Sequence, residues 1–180
     1  MPPRAYLKLL AFSLAGIVAA GALTFAALVA WLAIVDPFGG PQHPSDDALL
    51  ALFAVQRPAL DELVGMLGEE PGIERLAADF TRPDPLAVAP ARVADYRKRL
   101  AAAGIAHGLA RYGKTATFIV SARGLAISGS AKAFVHAARA DADATVVNGD
   151  LDAAAAALAD KHALLQRPIS DGWWLQLDMR

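Results

Sequence analysis

Two patterns of apolar positions divide this chain. From Leu9 to Val35, twenty-seven residues run without a charge, and only Ser13 and Thr24 are polar. Beyond residue 45 the apolar positions recur at helical or strand spacing instead. A helix as long as the first stretch rises roughly 40 Å, more than the ~30 Å hydrocarbon core of a bilayer. Lipid offers backbone N–H and C=O groups no partner, so the stretch is predicted to be a transmembrane helix with Trp31 near one interface. A cleaved signal peptide is the competing reading. Its apolar core runs ~7–15 residues and ends at small residues, whereas this run is longer and no clean cleavage site follows it. Arg4 and Lys8 precede the span; Asp36, Asp46 and Asp47 follow it, with no Lys or Arg until Arg57. The positive-inside rule then predicts a cytoplasmic N-terminus. The expected organisation is a cytoplasmic tail over 1–8, an anchor over 9–35, a linker over 36–45 and a periplasmic domain over 46–180, giving a single-pass protein of the bacterial inner membrane.

Pro37, Pro41 and Pro44 stiffen the linker, and Gly39-Gly40 supplies a hinge. Leu49, Phe53, Leu60, Leu63, Val64 and Leu67 form one apolar stripe, which predicts a helix over Asp46–Leu67 capped by Ser45 or Asp46 and kinked or restarted at Pro58. Residues 70–90 read as one helical turn around Ile73–Phe80 followed by a proline-broken loop. A second helix is expected over Ala91–Ala103, with Pro90 in its first turn, Gly104 as its stop, and Val93, Tyr96 and Leu100 inward.

From Ile105 the period changes to two. Ile105–Tyr112, Thr115–Ala122 and Leu125–Ala131 read as strands joined at Gly113-Lys114 and Arg123-Gly124, an antiparallel meander. Ala116, Phe118, Val120 and Ala122 are the expected core face of the middle strand, and the apolar stripe extends through Phe134 and Val135. Thr145–Val147 is a candidate short strand, and Asp152 a candidate cap for a short helix through Asp160. Ala163–Pro168 and Trp173–Met179 form a closing hairpin whose alternation places Trp173 in the core and Trp174 on the opposite face. The fold class expected is α+β: a transmembrane helix, then helices packed on an antiparallel sheet of about five strands.

Composition narrows the chemistry more than it identifies it. Arg4 and Lys8 are two of the 17 basic residues, which leaves 15 against 18 acidic side chains, a net −3, beyond the apolar stretch. That is no footprint for nucleic acid. With no cysteine there is no disulfide, thiolate metal site or lipidation site. Arg92, Arg97, Lys98 and Arg99 read as a solvated helix face. His43, His107, His136 and His162 lack ligand spacing, and Ser121, Ser128, Ser130 and Ser170 lack a nucleophile-elbow context. Gly108–Thr115 matches G-x-x-x-x-G-K-[ST], the phosphate-loop pattern. That mechanism needs a buried strand before the loop and a helix after it, whereas TATFIVSA follows here, so a hairpin turn is the expected structure.

Phe53-x-x-x-Arg57-x-x-Leu60-Asp61-x-Leu63-x-x-Met66, followed by Glu70 and Ile73, resembles the opening of a family of small proteobacterial envelope proteins, often lipoproteins. Arg111-Tyr112, Gly124-Leu125, Lys132-Ala133-Phe134 and Ile169-x-x-Gly172-Trp173-Trp174-Leu175 are similar to later motifs of that family. Departures are Leu60 for Phe, Ala133 for Gly and Trp174 for Tyr. The resemblance covers about residues 53–178 and implies an envelope location and one fold unit, with no reaction. The expected function is a membrane-tethered periplasmic binding or structural module. The alternatives are a nucleotide-binding enzyme using Lys114 and Thr115, and an inhibitor or immunity-type envelope protein. The expected partners are the inner membrane, through Leu9–Val35, and an envelope protein. No cofactor, metal or catalytic residue is expected, and the surface candidates for binding are Trp174, Arg57 and Lys132.

Overall fold

Ser45 begins the first long helix of the domain by accepting a hydrogen bond from the Ala48 amide, with Asp46 and Asp47 adding charge favourable to the helix dipole. The computed structural model describes Gly16 and residues 20–31, 42–85, 87–124, 129–159 and 162–180. It divides into two units, 1–40 and 41–180. In the first, residues 20–31 form helix α1, whose side chains are all exposed.

In the second unit, helix α2 (Asp46–Glu69) runs unbroken through Pro58. Strands β1 (Arg75–Leu76) and β2 (Thr81–Arg82) precede helix α3 (Pro90–Ala102). Strands β3 (Leu109–Tyr112), β4 (Thr115–Arg123) and β5 (Ser130–His136) form the meander. Strand β6 (Thr145–Val146), helix α4 (Leu151–Ala157) and the hairpin of β7 (Leu164–Ser170) and β8 (Trp173–Asp178) complete the chain. Helix α3 ends in a Schellman motif, in which Ile105 N–H donates to Leu100 O and Gly104 N–H to Ala101 O, with Gly104 at φ +74°.

The strands form one eight-stranded sheet in the order β2-β1-β3-β4-β5-β8-β7-β6. Every pairing is antiparallel except β6 with β7. The core lies between α2 and one sheet face, where Phe53 meets Phe134 and Trp173 at centroid distances of 5.4 Å. Phe118 and Leu175 complete that layer from neighbouring strands and are fully buried.

Several expectations are corrected. Among the described residues no helix is long and apolar enough to cross a membrane. Apart from Gly16 and residues 20–31, the stretch Leu9–Val35, together with the tail 1–8 and residues 36–41 of the linker, lies outside the described residues. The transmembrane, single-pass architecture and the inner-membrane localisation with a periplasmic domain rested on that span and fall with it. The sheet has eight strands rather than five and is mixed rather than antiparallel: the two-residue strands β1 and β2 carry no periodic signal and are recruited by pairing across the fold, and the short strand expected at Thr145–Val147 joins as β6, parallel to β7. The helical turn expected around Ile73–Phe80 is the β1–β2 pair. The third meander strand falls at Ser130–His136 rather than Leu125–Ala131, with residues 125–128 outside the described set. The short last helix is capped by Asp150, not Asp152. Gly113-Lys114 is the two-residue turn closing Tyr112 onto Thr115, as the hairpin reading expected.

Two positions test this packing. Trp173, 1 % exposed, should cost ~3–5 kcal/mol on truncation to alanine, and the half-buried Trp174 clearly less, as read by chemical denaturation of the full chain followed by circular dichroism. A β-carbon on Gly108 would sit 2.1 Å from the Leu76 carbonyl oxygen at φ +77°, so Gly108→Ala should destabilise strongly in the same measurement.

Candidate functional site

Strand β4 carries a bulge between Ile119 and Ser121, so Val120 and Ser121 together oppose Lys132 of β5. Strict alternation would put Ser121 on the outer face and Ala122 inside. The extra residue instead turns Ser121 toward the helix side and leaves Ala122 exposed, which corrects the expected core face at that position. The bulge therefore builds a polar end onto an otherwise apolar sheet face.

Lys132 is the centre of that end. Its side chain has no exposure, and its three ammonium donors meet three acceptors: Asp46 Oδ1 at 2.7 Å, Asp152 Oδ2 at 2.6 Å and the Pro44 carbonyl at 3.1 Å. Asp46, equally buried, also accepts the Leu151 amide on Oδ2 at 2.7 Å, an N–H of the first turn of α4 that has no partner within the helix. Arg167 Nη1 lies 3.8 Å from the same oxygen. One lysine thus joins β5 to the starts of α2 and α4. Asp46, Asp150 and Asp152 bring carboxylate oxygens within 4.8 Å of one another, a spacing that can suit a cation. The Lys132 ammonium already provides the charge there, and Asp150 Oδ1 is occupied as the cap of α4 by the Ala153 amide. The donor set does not fit a metal.

His43 lies beside Lys132. Its Nδ1 is 2.6 Å from Ser121 Oγ and its Nε2 is 2.8 Å from Ser130 Oγ, so the imidazole bridges β4 and β5. Burial first, then the charges of Lys132 and Arg123, hold its pKa below the ordinary 6.5, against a weaker opposite effect of Asp152. The ring is neutral near pH 7. Among the described residues no carboxylate hydrogen-bonds to either ring nitrogen, as a general base in a serine triad would require.

The three sequence candidates are not brought together. Lys132, expected at the surface, is buried, because its charge is matched from α2 and α4, elements far away in sequence. Arg57 is at the surface near the opposite end of the core, where it donates to Ser170 Oγ and to Asp61 Oδ2 at 3.4 Å. Asp61 Oδ1 accepts Trp173 Nε1 at 3.0 Å, so this corner ties α2 to the last hairpin. Trp174 lies on the other sheet face, half-buried, with its indole N–H on the Ala137 carbonyl at 3.1 Å. Histidine and serine spacing gave no sign of the His43 cluster, since its members are 78 and 87 residues apart in sequence.

A cleft of about 370 Å³ opens between the end of α3 and the β1–β3 side of the sheet. Leu100, Ala101, Ile105 and Ala77 line it with apolar surface, the close approach at Gly108 forms part of its wall, and Arg97 stands at its margin. Arg97 Nε donates to the Ala77 carbonyl at 3.0 Å; its two Nη groups meet no acceptor among the described residues.

No family model, curated protein or solved structure matches the chain. The resemblance at Phe53–Met66 and the later motifs therefore rests on those residues alone.

The lysine cluster makes a prediction about paired charges. Lys132→Met leaves the buried Asp46 carboxylate with the Leu151 amide and the Arg167 guanidinium at 3.8 Å but without its 2.7 Å ammonium partner, and should cost ~3–5 kcal/mol. Adding Asp46→Asn, whose neutral amide oxygen still accepts from Leu151, should restore part of that loss. Denaturation of the two single variants and the double variant measures the coupling, and strictly additive losses would contradict it.

Proposed function

We propose that residues 42–180 form a non-catalytic binding module whose ligand site is the cleft at the end of α3. One observation carries this reading: the side chains able to perform acid–base or nucleophilic chemistry that the fold gathers together, His43, Ser121, Ser130 and Lys132, are engaged with one another or with the chain itself. The cleft has the complementary character. It is concave, mainly apolar and within the ~300–1,000 Å³ range usual for ligand pockets. Leu100 and Ile105 suit an aliphatic group, and the Nη donors of Arg97, which meet no acceptor among the described residues, suit a carboxylate. The ligand class is an aliphatic chain ending in a carboxylate. The binding or structural role expected from the sequence is kept in this reading, without a membrane tether.

Octanoate added to the full-length protein should give saturable NMR shifts confined to residues around Leu100, Ala101 and Ile105. Octanol should bind more weakly. Arg97→Gln should weaken octanoate by roughly tenfold, about the worth of one charge-assisted contact, and Ala101→Trp should block both ligands. Shifts that Ala101→Trp leaves intact would refute the site. Labelling of Ser121 or Ser130 by a fluorophosphonate, lost on substitution to alanine, would refute the non-catalytic reading.

A further inference from the structure

Residues 42–45 lead the chain into α2, and the structure holds them to the sheet by two side-chain contacts and one main-chain contact. His43 bridges Ser121 and Ser130, and the next residue gives its carbonyl to Lys132. We propose that this segment is an acid-released strap: His43 seats it on the end of the β4–β5 pair while its ring is neutral, and lets it go when the ring takes up a proton.

The surroundings of the ring supply the reason: it is half-buried, and the segment it belongs to lies against the Lys132 ammonium. A neutral imidazole has one N–H and one bare nitrogen, so one serine accepts from the ring while the other donates to it. Protonation makes both ring nitrogens donors, and both serine hydroxyls can rotate to accept, so the opposition to the proton comes from the surrounding charge and from burial. The added charge meets cations on both supporting strands, Lys132 from β5 and Arg123 from β4. Asp152 of α4 faces the ring with the opposite sign but is already bonded to Lys132 at 2.6 Å, and Asp46 of α2 is bonded to the same ammonium at 2.7 Å. Asp46 has both oxygens engaged, by Lys132 and the Leu151 amide, and the attraction of Asp152 for the ring is weaker than the opposing effects of burial, Lys132 and Arg123.

The lowered pKa of the docked ring fixes the direction. Docking is at full strength above the free-histidine value of 6.5 and weakens as the pH falls below it through the lower docked value. Release also removes the Pro44 carbonyl from Lys132, leaving that ammonium one acceptor short. The strap is independent of the ligand reading, since the cleft and the His43 cluster share no residue.

Hydrogen exchange of the full chain, corrected for intrinsic rates, should show a peptide covering residues 42–48 opening on the order of tenfold more at about pH 5 than at about pH 7.5. In His43→Ala the same peptide should be open at both pH values. NMR titration of the wild-type ring, which requires no variant to fold, should give His43 a midpoint below 6.5. Equal opening at both pH values, a pH response that persists in His43→Ala, or a midpoint at or above 6.5 would each overturn the strap.

Discussion

A lysine ammonium enclosed by two carboxylates and a main-chain carbonyl governs one end of this domain. Removing such a charge from water costs several kcal/mol, and only close, fully satisfied geometry offsets that cost. Lys132 achieves this because its three donors meet three acceptors delivered by different parts of the chain. The consequence is mutual positioning. Asp46 cannot lie where it does unless α2 begins there, and its second oxygen then sets where α4 begins through the Leu151 amide. A hydrophobic triad of similar volume could contribute as much stability, but it would not specify the approach of the linker and two helix starts with the same directionality.

That arrangement bears directly on function. Residues that would suggest chemistry if found in an open cleft are here part of the framework. His43 lies across two strands, Ser121 and Ser130 hold it, and Lys132 is sealed. The more open, apolar space lies elsewhere, against the end of α3, where the Schellman turn at Gly104 brings Ile105 back beside Leu100. The buried polar cluster and the apolar cleft are thus separate in this fold, with no residue in common.

The bulge in β4 joins the polar cluster to the apolar layer of the same sheet face. One additional residue between Ile119 and Ser121 changes which side chains face α2, so an outward-facing serine becomes a partner for His43 and Ala122 turns to solvent. Beyond Ile119, toward Ala116, the strands keep the period expected for a sheet with a helix-covered face, and Phe118, Phe134 and Trp173 form the aromatic layer with Phe53.

The sequence alone determined the features that depend on neighbours along the chain. The stripe Leu49–Phe53–Leu60–Leu63 defined α2, Gly104 ended α3, Gly113-Lys114 turned one hairpin, and Asp171-Gly172 the other, with Trp173 inward. Each follows from helical spacing, strand alternation or a residue tolerant of positive φ, and each is settled within a few residues. The apolar run at Leu9–Val35 was equally conspicuous, yet a membrane-spanning helix is not found among the described residues. What only the tertiary structure decided are pairings between distant segments: the two-residue strands β1 and β2, the parallel pairing of β6 with β7, the bulge that reverses Ser121, and the meeting of Asp46, Lys132 and Asp152 with His43 nearby. No local pattern encodes these, because the free energy of a buried charge or a two-residue strand resides in its partner, and the partner is chosen by the fold.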